Sequence, residues 1–183
     1  MKRIVVLGGS GFVGTSVCEQ LVRHPGMGGV HVVVPSRRRE QAKHLLPLPN
    51  VHVLQASVHR DEDLRLALKG ADVVINLIAI LHGSAAEFRA AHVELAQRIV
   101  AACRAEGVSR VIHVSALGVP DDSAQAPSNY LRSKAEAEGV WRASGLDVTI
   151  LRPSVIFGER DRFLNLFAQL QAVLPVVALA GAD

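Results

Sequence analysis

The chain has 183 residues, 49% hydrophobic and 20% charged, with a formal net charge of +3, which suffices for one soluble domain with a sizeable core. That small charge, with one Tyr, one Trp and no long basic run, argues against nucleic acid as a partner, and no apolar run approaches the ~20 residues of a membrane-spanning helix. Cys18 and Cys103 lie in apolar, helix-like segments without C-x-x-C spacing or a secretory signal, and the eight histidines form no ligand set, so reduced thiols, a cytoplasmic location and no metal site are expected.

A strand over Arg3–Leu7 runs into Gly8-Gly9-Ser10-Gly11-Phe12-Val13-Gly14, and a helix from about Gly11 to His24 follows, ended by Pro25-Gly26. Glycines at 8, 11 and 14, or the overlapping set 9, 11 and 14, allow a tight turn, close backbone approach to a pyrophosphate and close helix–strand packing. The helix start adds unpaired N–H groups and a positive dipole end. A dinucleotide is therefore expected here, lined by Gly8, Ser10, Gly11, Phe12, Val13 and Gly14; the alternative is a Gly-rich turn without a ligand.

The second strand, about Val30 to Val34, exits into Pro35-Ser36-Arg37-Arg38-Arg39. An acid about 20 residues past the glycines would bind the adenosine ribose hydroxyls, and this chain has none. Ser36, Arg37 and Arg38 suit a 2′-phosphate instead, because guanidinium groups bind phosphate oxygens bidentately and stay charged. NADP(H) is thus favoured over NAD(H), while Arg39 reads as part of a solvated turn.

A short helix around Arg38–Leu45 leads through Pro47 and Pro49 to a third strand, Val51–Gln55, and Asp61 reads as the N-cap of a helix over Glu62–Lys69 closed by Gly70. The fourth strand, Val73–Ile78, is a continuous apolar run. Ser84 and Glu87 form a capping box for a long helix in which Phe88, Ala91, Leu95, Ile99, Ala102 and Cys103 recur until Gly107. The fifth strand is Arg110–Val114, with His113 a strand residue rather than a base, and the sixth is Asp147–Leu151. This alternation predicts an α/β domain over residues 1–183: a Rossmann-type doubly wound parallel sheet in the order 3-2-1-4-5-6, with its ligand between the carboxyl ends of strands 1 and 4.

Ser115 ends the fifth strand, and Tyr130-Leu131-Arg132-Ser133-Lys134 sets a phenol and an amine four residues apart, on one helix face if Ser128 or Asn129 caps the helix. A nearby ammonium lowers a phenol's pKa, so Tyr130 could donate or accept a proton at a substrate oxygen. A chance surface pair is the poorer explanation beside the cofactor motif.

The motifs Gly8-x-x-Gly11-x-x-Gly14, Asn76-Leu77-Ile78-Ala79, His113-Val114-Ser115-Ala116, Tyr130-x-x-x-Lys134 and Leu151-Arg152-Pro153-Ser154 with Phe157-Gly158 span nearly the whole chain. Through them the chain resembles the extended and atypical short-chain dehydrogenases/reductases. Pro35-Ser36-Arg37-Arg38 and the run from Phe157 to Asn165 resemble most the NAD-dependent epimerase/dehydratase subgroup that holds the NADPH-binding accessory subunit of respiratory complex I and its bacterial relatives. The resemblance implies NADP(H) in a Rossmann fold, with Tyr130 and Lys134 at the nicotinamide ribose, Leu77, Ala79 and Pro153 beside the cofactor, and Ser115 as a secondary donor. Two departures stand out. Ala116 occupies the place where catalytic relatives usually carry the substrate-orienting hydroxyl. The chain also stops at Asp183 where the family continues, so from about Val173 the truncated start of a smaller C-terminal substrate region is expected.

Two functions follow from the resemblance: an NADP(H)-dependent oxidoreductase or epimerase-type enzyme acting on an unidentified small molecule, or a non-catalytic NADPH-holding structural or assembly factor. It also implies pairing of two copies through the helices at about Ser84–Glu106 and Ser128–Ser144, or association with a respiratory complex peripheral to the membrane. Trp141, on the second of those helices, is expected in the core or a half-buried surface.

Overall fold

Strands that are apolar on both faces must be covered on both, and the first strand sets the pattern. Val5 and Leu7 point into one cluster and Ile4 and Val6 into another on the opposite side of the sheet, and all four are buried. The computed structural model describes residues 1–24, 29–158 and 160–161. It contains strands β1 (Lys2–Leu7), β2 (Val30–Ser36), β3 (Val51–Gln55), β4 (Val73–Asn76), β5 (Arg110–Val114) and β6 (Asp147–Leu151). All pair in parallel in the order β3-β2-β1-β4-β5-β6, as the sequence predicts. The expected stop at Pro25-Gly26, the 162–165 part of the Phe157–Asn165 run and the stretch from about Val173 lie outside the described residues.

Helix α1 (Phe12–Arg23) lays Cys18 on the cluster of Ile4, Val6, Val32 and Val34. Helices α2 (Asp61–Leu68), α4 (Leu95–Glu106) and α5 (Asn129–Arg142) cover the other face with Leu64, Leu95, Ile99, Cys103 and Trp141. Both cysteines are buried free thiols, and burial pushes Cys18 to about 11 and Cys103 to about 12. Trp141 is wholly enclosed, stacked at a tilt on the His113 ring 5.3 Å away.

Four local differences from the sequence reading have physical causes. Strand β2 continues through Pro35 to Ser36, because pairing with β1 ends at Val33 and the missing N–H of Pro35 is not needed there. Strand β4 ends at Asn76, whose Oδ1 accepts from the Ile78 N–H at 3.2 Å and turns the chain. Arg60, not Asp61, is the N-cap of α2, since its carbonyl takes the first helical bond from Leu64; Asp61 instead pairs with Arg98 at 2.6 Å.

The fourth difference lies in the long helix. Its Ser84–Glu87 capping box is present, and Gly107 ends it with φ 72°. Between α3 (Ala85–Phe88) and α4, however, Arg89–Glu94 form a π-helical turn. Within and beside this turn His92 and Val93 are buried and Ala91 only partly so.

At Gly14 a Cβ would land on the Gly8 carbonyl oxygen and lie 2.5 Å from the Gly9 Cα. Backbone cannot yield as a flexible side chain can, so Gly14→Ala should destabilise the protein by about 1–3 kcal/mol. Denaturant unfolding checks this. An unchanged midpoint would show that α1 can slide away from the turn freely.

Candidate functional site

The carboxyl ends of β1, β2 and β4 meet at the Gly-rich turn, and its glycines have separate tasks. Gly8 has φ 82°, and a Cβ there would press on Ile78 and Leu77 of the β4 exit at 3.2–3.3 Å. Gly9 is packed against Val34, whose methyls lie 2.8 and 2.9 Å from the place of its Cβ. Gly11 differs: a Cβ there meets only the Gly8 oxygen, at 3.3 Å, and otherwise open space. Gly11 is the N-cap of α1, no side chain caps that helix, and no acid stands in its first turn. The first N–H groups of α1 therefore face outward unclaimed, with the positive end of the helix dipole behind them. A cleft of about 500 Å³ opens here, lined by Ser10, Gly11, Phe12, Thr15 and His44, with the Glu19–Arg160 ion pair (2.9 Å) also in its wall. Thr15 donates to the Gly11 carbonyl at 2.8 Å and meets His44 Nε2 at 2.9 Å, fixing the floor of the cleft. Val13, half-buried in the first turn of α1, lines a second cleft on another side of the helix.

At the β2 exit, buried Ser36 donates from Oγ to the Arg38 carbonyl at 2.8 Å, so its hydroxyl shapes the turn. Arg37 and Arg38 are exposed, and neither guanidinium has an ion pair or hydrogen bond among the described residues. Arg37 lines a polar cleft of about 610 Å³ together with Gln55, Ser57, Arg60 and Asp63. The sequence reading assigned Arg60 nothing. Its signal was the strand order itself, which sets the β3 exit beside the β2 exit through Ser36↔Gln55.

On the other side of β1, half-buried Leu77 donates its N–H to the Leu7 carbonyl at 3.0 Å, and Ala79 is exposed. The segments leaving β5 and β6 run together: Ser115 N–H donates to Leu151 O at 2.7 Å and Leu117 N–H to Pro153 O at 2.8 Å, which sets Pro153 beside the β5 exit. Lys134 crosses from α5 to the same place and donates from Nζ to the Val114 carbonyl at 3.1 Å while only 1% exposed. Burial drives its ammonium down to about 8, and Glu138 one turn on pulls it back up.

Tyr130 is half-buried, and burial raises its phenol pKa. This corrects the expectation that Lys134 lowers it: the ammonium donates to the Val114 carbonyl, and desolvation is what acts on the phenol. Tyr130 packs edge-on to Phe88 at 5.8 Å and to His92 at 5.6 Å. His92, which the sequence reading missed, accepts at Nε2 from the Ile80 N–H at 3.2 Å and meets Ser133 Oγ from Nδ1 at 2.8 Å, while Ser133 donates to the Tyr130 carbonyl at 2.8 Å. One imidazole thus ties the loop after β4 to the first turn of α5.

Ser115 is enclosed, and its hydroxyl lies beside Glu138 without closing a well-formed hydrogen bond, though near enough to favour the charged carboxyl. Burial pushes the Glu138 carboxyl up, but hydrogen bonds from Arg152, the Ser115 hydroxyl and the charges of Arg152 and Arg142 hold it below its ordinary value. Arg152 grips that carboxyl with two bonds, of 2.9 and 2.7 Å. Among the described residues, no three His, Cys, Asp or Glu side chains converge to hold a metal ion, and no helix is long and apolar enough to cross a membrane.

A profile of the NAD(P)H-binding family matches residues 8–164, and the chain belongs to that family. It is 35% identical to the NADH dehydrogenase (ubiquinone) 1 alpha subcomplex subunit 9, mitochondrial, of Mus musculus over 95% of this chain and 46% of that protein. It is 32% identical to a 4-hydroxy-2-methyl-3-oxo-4-farnesyl-3,4-dihydroquinoline-1-oxide ketoreductase of Stigmatella aurantiaca, over 87% of this chain and 52% of that one. The chain thus spans about half the length of these curated relatives. Among solved structures it is similar to a putative NAD-dependent epimerase/dehydratase from Bacillus halodurans, with a TM-score of 0.74 and 25% identity over 87% of this chain and 73% of that one.

Burial holds His92 down at about 4 and His113 at about 3, in each case helped by the Lys134 charge. Unfolded histidine titrates near 6.5, so between pH 6.5 and 5 the unfolded chain binds more protons than the folded one. Below neutrality the two histidines set the slope: stability should fall on acidification below pH 6.5, by up to ~1.4 kcal/mol per pH unit for each histidine. Calorimetric Tm against pH reads this, and His113→Gln should flatten the slope. A variant that kept the full slope would remove His113 from the account.

Proposed function

We propose that the chain binds NADP(H) across the carboxyl ends of β2, β1 and β4, and that the whole protein is an oxidoreductase or epimerase-type enzyme with Tyr130 and Lys134 at the nicotinamide end. The observation that carries the reading is the pairing of two anion receptors along one edge: the acid-free start of α1, and the unpaired Arg37 and Arg38 at the β2 exit. A carboxylate at the end of β2 would favour the ribose hydroxyls of NAD(H), and β2 runs out into Ser36 and arginines instead, while Asp63 across the cleft is taken up by the Ser57 N–H, so NAD(H) is the second choice.

When bound, the cofactor supplies a nicotinamide that exchanges a hydride with a substrate carbon. The chain's part is to bind, orient and move a proton. Gly8, Ser10, Gly11, Phe12, Val13 and Gly14 form the pyrophosphate cradle, and Leu77, Ala79 and Pro153 border the nicotinamide half. Lys134 spends one of its three N–H donors on Val114, leaving two for a ribose hydroxyl. Tyr130, its phenol raised by burial, stays protonated at neutral pH and so is set to donate a proton to a substrate oxygen, the direction of carbonyl reduction. Ser115, just past the end of β5, is the secondary donor.

A second reading, a cofactor holder without turnover, is favoured by Ala116, which presents no hydroxyl, and by the enclosure of Ser115. Similarity to respiratory subunits supports association with such a complex, peripheral to a membrane, against a free cytoplasmic protein or a homodimer.

Titration with NADPH and NADH tests the cofactor: NADPH should bind more tightly, and Arg37→Ala should weaken NADPH by about 10- to 150-fold while sparing NADH. Equal wild-type affinities would end the NADP(H) assignment. Gly11→Val should abolish binding of both with the circular dichroism spectrum unchanged, since only the Gly8 oxygen lies near its Cβ. For the chemistry, Tyr130→Phe in the whole protein should leave NADPH affinity alone and cut turnover of an added carbonyl or quinone by ~10²–10⁴. Lys134→Ala should damage both. No turnover in the wild type with any carbonyl, quinone or sugar nucleotide is the outcome of the holder reading.

A further inference from the structure

We infer that Arg60, from the turn between β3 and α2, is a second guanidinium for the cofactor's adenosine 2′-phosphate, closing on it opposite Arg37. The inference rests on the reading that the adenosine ribose lies at the β2 exit. Ser36 and Gln55 are paired, and the Ala56 N–H donates to the Ser36 carbonyl at 3.1 Å, so the chain leaves β2 and β3 side by side. Arg37 follows from one strand and Arg60 from the other, and both line the same cleft of about 610 Å³.

Two of the three carboxylates at the start of α2 are already engaged. Asp61 is paired with Arg98 at 2.6 Å, and Asp63, in the cleft wall, accepts the Ser57 N–H at 2.9 Å. Among the described residues neither Arg37 nor Arg60 has an ion pair or hydrogen bond from its guanidinium. The helix pole here is not the receptor, because Asp61, Glu62 and Asp63 fill the first turn of α2 and would repel an anion, in contrast to the acid-free start of α1. What remains for an anion is the two side chains. Two guanidiniums against one carboxylate leave a positive balance, and a phosphate monoester carries about −1.5 to −2 at neutral pH. Planar guanidiniums from two strand exits can share its oxygens, each making charge-assisted bonds.

The test is calorimetric titration with 2′,5′-ADP and with 5′-ADP, which isolates the phosphate from the nicotinamide chemistry. The wild type should prefer 2′,5′-ADP. Arg60→Ala should weaken 2′,5′-ADP by about 10-fold or more and leave 5′-ADP nearly unchanged, with Arg60→Lys in between. Arg37→Ala with Arg60→Ala should erase the preference, and Arg39→Ala, a change of equal charge on the same turn, should not. If Arg37→Ala collapses the preference and Arg60→Ala leaves it intact, Arg60 is excluded and the NADP(H) reading survives. If Arg60→Ala weakens both ligands alike, Arg60 serves the nucleotide at large and the inference fails. A wild type without preference sinks the inference together with the reading it rests on.

Discussion

The closeness of α1 to the end of β1 is the constraint from which the rest of the site follows. Gly14 lies where any Cβ would strike the backbone of Gly8 and Gly9, and Gly9 is in turn pressed onto Val34. With two glycines consumed by packing, the helix axis aims at the carboxyl ends of the central strands, and its first N–H groups end over the switch point between β1 and β4. Gly8, held at φ 82° against Ile78, fixes the β4 exit relative to the same turn. Only Gly11 faces open space, so the glycines divide into three that hold the architecture and one that leaves room for a ligand.

The opposite end of the site depends on charge held out of water. α5 carries Tyr130, Lys134 and Glu138 at intervals of four, one above another on a single face. Lys134 and Glu138 are almost completely buried, and each alone would be driven toward its neutral form. Glu138 resists that for Lys134, and Arg152 and Arg142 resist it for Glu138. The ammonium at the β5 exit is therefore maintained by a chain of charges that reaches the surface only at the arginines. Such a chain is costly to desolvate and contributes little net stability, which makes positioning its better-supported role.

The sheet was legible in the sequence because its signals are local and strong. β3, β5 and β6 begin and end at the expected residues, and the strand order follows from right-handed crossovers between them. The tight Gly-rich turn and the shared helix face of Tyr130 and Lys134 were legible for the same reason, as short spacings. Less visible was whatever depends on contacts distant in sequence. α5 turns Ser133, Lys134 and Glu138 inward beside Ala137 and Trp141, so its buried face has no clean apolar period and the direction of the Lys134 ammonium could not be read from spacing. His92 falls four residues after Phe88 and three before Leu95, on the inward face, but a polar side chain there adds nothing to an apolar period; the π-helical turn it sits in has no local signature either.

Arg60 shows the same limit from the other side. In the sequence it is one basic residue before an acidic helix start, and its nearest acids suggest a solvated pair. In the fold, Asp61 goes to α4 and Asp63 turns back to Ser57, so Arg60 is left facing the cleft with Arg37. The two helix starts along this sheet edge thereby differ in kind. α1 offers backbone N–H groups where no side chain competes, suited to a group that must be approached closely. α2 has its dipole answered by its own carboxylates and offers a guanidinium at arm's length, suited to a charge that is recognised from the side. A dinucleotide with an extra phosphate at one end presents both demands, spaced along one sheet edge, and that agreement between two unlike receptors is stronger support for the ligand than either gives alone.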